Sequence, residues 1–246
     1  MLPNPTRYPI EGWQFTQCLA ANTSKQSWLC HKEGMGLARA ELLFPAEESD
    51  LIPFERKATL ASLLPAGMTP RLLYSNLDHP TPLLVYEWQG EEPLEQVLST
   101  RSKDWRAQHS MRFALRFFEC LDSLHELGFV HGAVSYPSLL LDSQCCLKLS
   151  GFDRCVPTRT VLAHQTGAEL LLSAPELRKR HSIADPAQDI FGATYVLSKL
   201  LGKEFLATDL AKAMTDQRPE LRPSAGQILG LLLDLEQMLN NHGLAA

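Results

Sequence analysis

Several side chains able to act on a phosphate or a metal ion lie at turns and short apolar steps within the first 153 residues. Asn22 and Lys25 close a polar turn, Asn22-Thr23-Ser24-Lys25, where a carboxamide and an amine can meet a phosphate. His131 offers an imidazole after the short apolar step Phe129-Val130. Ser138 offers a hydroxyl, which can ligate Mg²⁺ but is a poor sole substitute for the usual set of oxygen ligands. Asp153 offers a carboxylate. The six cysteines (Cys18, Cys30, Cys120, Cys145, Cys146, Cys155) contain no C-x-x-C pair, so their spacing gives no support for a structural zinc. The neighbours Cys145 and Cys146 can be a redox-sensitive pair or small side chains filling a half-buried strand, and we read them as the latter.

The elements that must position these residues can be read from apolar spacing. The stretch Leu124 to Asp153 is the centre of the chain. A helix ends at Leu127, and Gly128 is its stop signal. Two short apolar runs, Leu139-Leu140-Leu141 and Leu147-Lys148-Leu149, flank Asp142 to Cys146 and predict a hairpin. Upstream, residues 1–12 read as a Pro-rich arm. Strands are expected over Trp13 to Leu19, Gln26 to Cys30, Leu37 to Phe44, Arg71 to Leu77 and Pro82 to Trp88. One helix, Phe54 to Leu64, interrupts them. Downstream, helices are expected over Leu94 to Leu98, Gln108 to Leu127, Asp189 to Leu201, Leu206 to Met214 and Ser224 to Asn240.

Composition narrows the function classes. With 246 residues and 45% apolar content, the chain can bury a substantial core in one domain, or one domain with two lobes. A net charge of -5 gives no global case for nucleic-acid binding. The N-terminus lacks the pattern of a signal peptide, and no charge-free apolar stretch of about 20 residues predicts a membrane span. A cytoplasmic protein with free thiols is the expectation.

Taken in order, the motifs resemble the protein-kinase family, as a degenerate member or pseudokinase. His131-Gly132-Ala133 stands where that family has H-R-D, and Gly151-Phe152-Asp153 where it has D-F-G. Ser173-Ala174-Pro175-Glu176 is similar to A-P-E. Asp189-Ile190-Phe191-Gly192 resembles the start of the family's buried helix, and Pro219 to Pro223 its late R-P element. The resemblance implies an α+β, bilobal protein-kinase-like fold in a single domain over 1–246. A small antiparallel sheet with one helix would form the N-lobe (13–88), and a mainly helical C-lobe would follow (93–240).

The resemblance also implies where phosphoryl transfer would need its parts. The glycine-rich loop is represented by Leu19 to Lys25 and has no glycine. Ala40 falls at the strand lysine, and Arg56 or Lys57 at the helix glutamate, so the expected ion pair has neither partner. Ala133, Ser138 and Gly151 replace the base and the two metal-holding residues. Asp153 and Lys25 are the speculative rescues. The retained positions are structural: His131 and Phe152 in an apolar stack, Leu140 beneath an adenine ring, and Asp189 holding the loop backbone. Glu176 and Arg222 are expected as a buried ion pair. Thr158, Thr160 and Thr166, with Arg154 and Arg159, lie between Gly151 and Glu176; we read the segment as a plain exposed linker, with phosphorylation by another kinase as the alternative.

These substitutions imply a catalytically inactive binding module with no cofactor, a scaffold or allosteric regulator of other proteins, a protein kinase among them. Contact surfaces are expected on the Phe54 to Leu64 helix, along Gly151 to Glu176, and on the closing helix. Two alternatives stand beside this reading. One is a divergent phosphotransferase that binds ATP and Mg²⁺ weakly through Asp153. The other is a small-molecule sensor using the former ATP cleft.

Overall fold

The computed structural model of the chain describes residues 10, 12–44, 47, 50–162, 173–178 and 181–241. It is a mixed α+β protein with an antiparallel sheet of five strands and several helices. Its internal contacts cluster into two units, Met1–Gly90 and Glu91–Ala246. Among the described residues, no helix is long and apolar enough to cross a membrane.

In the first unit, β1 (Gln14–Ala21), β2 (Lys25–Lys32), β3 (Gly36–Leu43), β4 (Leu72–Asn76) and β5 (Leu83–Glu87) form the sheet in the order β1-β2-β3-β5-β4. Alternation along β3 divides its side chains between two faces. Ala38, Ala40 and Leu42 join Trp13, Trp28 and Val85 in one apolar cluster. Leu43 joins Leu84, Tyr86 and Phe54 in another. Phe54 comes from α1 (Leu51–Leu63), which covers that second face with Phe54, Lys57 and Leu60 buried. The helix starts three residues before the Phe54 expected from spacing, which places Pro53 in its first turn, where a missing N–H costs nothing.

The second unit is built on α3 (Lys103–Glu126), a 24-residue helix. Ser102 caps it by accepting a hydrogen bond from the Trp105 N–H at 3.2 Å. It therefore begins five residues before the expected Gln108. Phe113, Phe117, Phe118, Leu121 and Leu124 are buried along it, each worth about 1.5–3 kcal/mol of apolar burial. The helix packs against α4 (Pro186–Leu200), α6 (Ala225–Asn241) and the small strands beside the loop. Asp185 caps α4 and Pro186 occupies its first turn, so that helix also starts earlier than Asp189. The single helix expected over Leu206 to Met214 is broken. A 3₁₀ turn (Lys203–Ala207) precedes α5 (Asp209–Met214), because the Thr208 side chain accepts from the Ala211 N–H and starts a new helix.

Short strands complete the unit. α2 (Leu94–Thr100) follows β6 (Glu92–Pro93), which pairs with β8 (Leu139–Leu141). β8 pairs with β9 (Leu147–Leu149), so the expected hairpin is present. β7 (Phe129–Val130) pairs with β10 (Val156–Pro157). The loop from His131 to Ser138 thus lies between two paired strands, and the segment after Leu149 returns past it.

Candidate functional site

Asp189 is the organising group of the loop. It lies near the start of α4, 2% exposed, where the helix N-terminus favours a carboxylate. Its Oδ2 accepts the His131 backbone N–H at 2.7 Å, and its Oδ1 accepts the Gly132 N–H at 2.9 Å. His125 Nε2 meets the same Oδ2 at 2.9 Å from the end of α3. One side chain thereby ties three segments together, and each of its oxygens accepts from the loop backbone.

His131 is fully buried and stacks against Phe152, ring centroids 5.3 Å apart. Its Nε2 lies 2.8 Å from the Ser150 carbonyl, and its Nδ1 accepts the Ala133 N–H at 3.3 Å. A carbonyl can only accept, so Nε2 carries the proton and the ring is neutral. Burial holds its pKa below the ordinary imidazole range; Asp189, the Ser150 carbonyl and Asp153 pull the other way. Leu140 is buried on β8, opposite Lys148 in the hairpin.

The positions that would bear chemistry are closed by local geometry. Ser138 is buried, its hydroxyl donates to the Ser135 carbonyl at 2.6 Å, and it accepts the Ser135 N–H at 3.2 Å. The hydroxyl is committed to capping a 3₁₀ turn (Tyr136–Ser138). Gly151 has φ 79°, and a Cβ there would lie 3.3 Å from Ser138 Cβ. The backbone at this place favours a glycine for a conformational reason. Gly132 has φ 72°, and a Cβ there would lie 2.7 Å from the Arg154 carbonyl oxygen. Asp153 is exposed on a 3₁₀ turn (Phe152–Arg154). Ala133 brings no polar side chain. As placed, Ser138 and Gly151 do not fit the metal-bound nucleotide that the family resemblance implies for its active members. Among the described residues, no group of three or more His, Cys, Asp or Glu is arranged to hold a metal ion.

Glu176 and Arg222 meet in a bidentate pair, Nη1 to Oε1 at 2.7 Å and Nη2 to Oε2 at 2.8 Å. The Arg222 side chain is completely buried. Its remaining donors reach the Asp216 and Ala187 carbonyls, and its plane lies over Phe191. Arg222 thus fastens the turn that holds Glu176 to the start of α4. Of the three threonines, Thr158 donates to the Gly128 carbonyl at 3.1 Å and Thr160 to the Pro157 carbonyl at 2.6 Å. Thr166 lies outside the described residues.

In the first unit, Lys57 Nζ on α1 lies 2.8 Å from Glu41 Oε2 on β3, a pair distinct from the lysine–glutamate pair that the resemblance implies and for which Ala40 offers no partner. Its polarity is the reverse of what the resemblance implies, with the acid on the strand and the amine on the helix. Ala40 belongs to the opposite sheet face, in the cluster with Trp28 and Val85. Alternation along β3 carries Glu41, not Ala40, to the face that α1 covers. In the β1–β2 turn, Asn22 Oδ1 accepts the Ser24 N–H at 3.0 Å and the Lys25 N–H at 2.7 Å. Asn22 is spent on the turn itself.

Sequence reasoning missed a buried charge cluster. Lys148, 4% exposed between two leucines of β9, reaches Glu91 at 3.1 Å and Asp142 at 3.5 Å. Asp142 also holds the hairpin turn through the Gln144 and Cys146 N–H groups. The signal available was a charge inside an apolar run, which has to find partners when the strand is covered. No protein-family model and no curated protein matches the chain.

Proposed function

We propose that this chain is a catalytically inactive, bilobal protein-kinase-like module, a cytoplasmic scaffold or allosteric regulator of other proteins, among them an active protein kinase. The observation that carries the reading is Gly151. The place that would need a metal-holding carboxylate has left-handed backbone pressed against Ser138, a site suited to glycine. The local capping of the Ser138 hydroxyl and the reversed Glu41–Lys57 pair support it. So does the contrast with the anchoring contacts. The Asp189 network and the Glu176–Arg222 pair make the hydrogen bonds that a rigid frame needs. Chemistry by this family depends on positioned charge around the phosphates, and several of those charges are missing at once.

Thermal-shift titration of the full chain with ATP, with and without Mg²⁺, tests the reading. The expected result is no Mg²⁺-dependent stabilisation, together with no phosphate transfer to a generic protein substrate. A Mg²⁺-dependent ATP shift that disappears in Asp153→Ala overturns it in favour of the divergent transferase. Stabilisation by nucleotide that is indifferent to metal and to Asp153 favours the small-molecule sensor.

A further inference from the structure

Helix α6 has an outer face with large apolar side chains left exposed among the described residues. Ala225, Ile228 and Leu232 are its buried side. On the outer side Leu231 is 52% and Leu235 39% exposed, and Leu221, on the 3₁₀ turn before the helix, is 48% exposed. An open groove of about 740 Å³ runs between that turn and the helix. Leu221 and Leu231 are its apolar walls, and Glu220 and Asp234 stand on its rim.

Gly230 lines the same groove. It lies inside a 17-residue helix, where glycine is a costly choice. A Cβ added there would meet nothing within 4 Å among the described residues. Gly226, one turn earlier, differs: its Cβ would lie 3.0 Å from the Asp122 carboxylate of α3. Among the described residues, the space over Gly226 is used within the chain and the space over Gly230 is not.

The charge of the surface selects the occupant. The ionisable residues of α6 are Asp234 and Glu236, both acidic, and Glu220 adds a third negative charge beside them. Arg222 also lines the groove, but its guanidinium is held by Glu176. Neither Glu220 nor Asp234 has a hydrogen-bonding or ionic partner among the described residues. A second copy of the chain would bring the same acids against these acids, which disfavours a two-fold self-pairing. A cationic, leucine-bearing helix fits on both counts: its apolar stripe covers Leu221, Leu231 and Leu235, and its basic flank meets Glu220 and Asp234.

We propose that the groove beside Gly230 is a docking site for a basic amphipathic helix of a partner protein. This deepens the reading of the chain as a binding module and names the surface and the chemistry of the partner. It is tested apart from nucleotide binding, so the two can fail separately.

The probe is a fluorescein-labelled peptide of about 15 residues, roughly matching the helix length, made of Leu and Lys at helical spacing. Anisotropy is read against the full chain at physiological salt. Saturable binding is expected, with little for a Leu/Glu peptide or for the same composition scrambled. Gly230→Leu fills the groove with a better helix former, so its melting temperature should rise while peptide affinity falls at least tenfold. Glu220→Lys with Asp234→Lys should lose at least tenfold for the Leu/Lys peptide and gain affinity for the Leu/Glu one. Equal binding by the wild type and Gly230→Leu overturns the proposal, as does equal binding of the scrambled peptide. So does a wild-type dimer in sedimentation that Leu231→Ser dissociates, since a second copy then covers the face. Co-flotation with phosphatidylcholine–phosphatidylserine vesicles that Leu231→Ser abolishes would assign the face to lipid and also overturn it.

Discussion

Gly132 and Gly151 shape the loop through backbone conformation. A glycine at φ 79° does not accept a side chain freely, because an L residue there is strained. For Gly151→Asp the added Cβ also presses on Ser138 Cβ at 3.3 Å, and the strain alone is worth about 1–3 kcal/mol. Gly132→Arg is worse. Its Cβ would lie 2.7 Å from a backbone carbonyl oxygen, which cannot rotate away as a side chain can. We expect Gly151→Asp to lower the urea midpoint and Gly132→Arg to lower it further. Ala133→Asp should leave it nearly unchanged, its side chain being only partly buried. The triple variant Ala133→Asp, Ser138→Asn, Gly151→Asp should be less stable than the wild type and still show no phosphate transfer. Wild-type stability in Gly151→Asp would show that the left-handed backbone is not a constraint.

Between elements, the reversed Glu41–Lys57 pair shows how position and polarity separate. What α1 needs from β3 is an opposite charge across a partly buried contact, and either polarity supplies it. Lys57→Glu or Glu41→Lys alone puts like charges together and should destabilise. The double reversal should recover most of the loss, with a coupling energy of about 1–2 kcal/mol in a double-mutant cycle. Recovery should stop short of complete, since Arg39 lies 3.6 Å from Glu41 and would then face a lysine. Additive single effects would mean the pair contributes no coupling. This contact also marks where reading the sequence fails. The order of strands and helices is legible because apolar spacing of two or of three to four residues is written along each segment. Which face of β3 meets α1 is not, because Ala38, Arg39, Ala40 and Glu41 offer two registers and only packing chooses between them. The Glu176–Arg222 contact is legible because both ends sit in recognisable short motifs. Lys148 with Glu91 and Asp142 has no such motif, and its burial follows from strand pairing that a local pattern does not encode.

The hydrogen bonds around His131 also reach the stability of the full chain through pH. The buried ring is neutral, donating from Nε2 to the Ser150 carbonyl and accepting at Nδ1 from the Ala133 N–H. A proton added at Nδ1 would set two donors against each other and place a charge in a buried site. The pKa of the folded state is therefore depressed, while the unfolded ring titrates near 6.5. Above about pH 6.5 both states are neutral and the group contributes nothing to pH dependence. Below it the unfolded chain takes up a proton that the folded chain refuses, so stability falls with pH until the folded pKa is passed. The slope for one proton is at most about 1.4 kcal/mol per pH unit. His125, Asp189 and Asp153 face the same network, and the window from pH 7 to 5 is that of an ordinary imidazole. Denaturant unfolding between pH 7 and 5 therefore reads the histidines. His131→Gln retains an amide donor for the Ser150 carbonyl and cannot titrate, so its profile over this range should be flatter than that of the wild type by up to one proton. The same measurement on His125→Gln separates the two rings. Parallel profiles for the wild type and His131→Gln would mean that the buried imidazole is not what makes acid destabilise the chain.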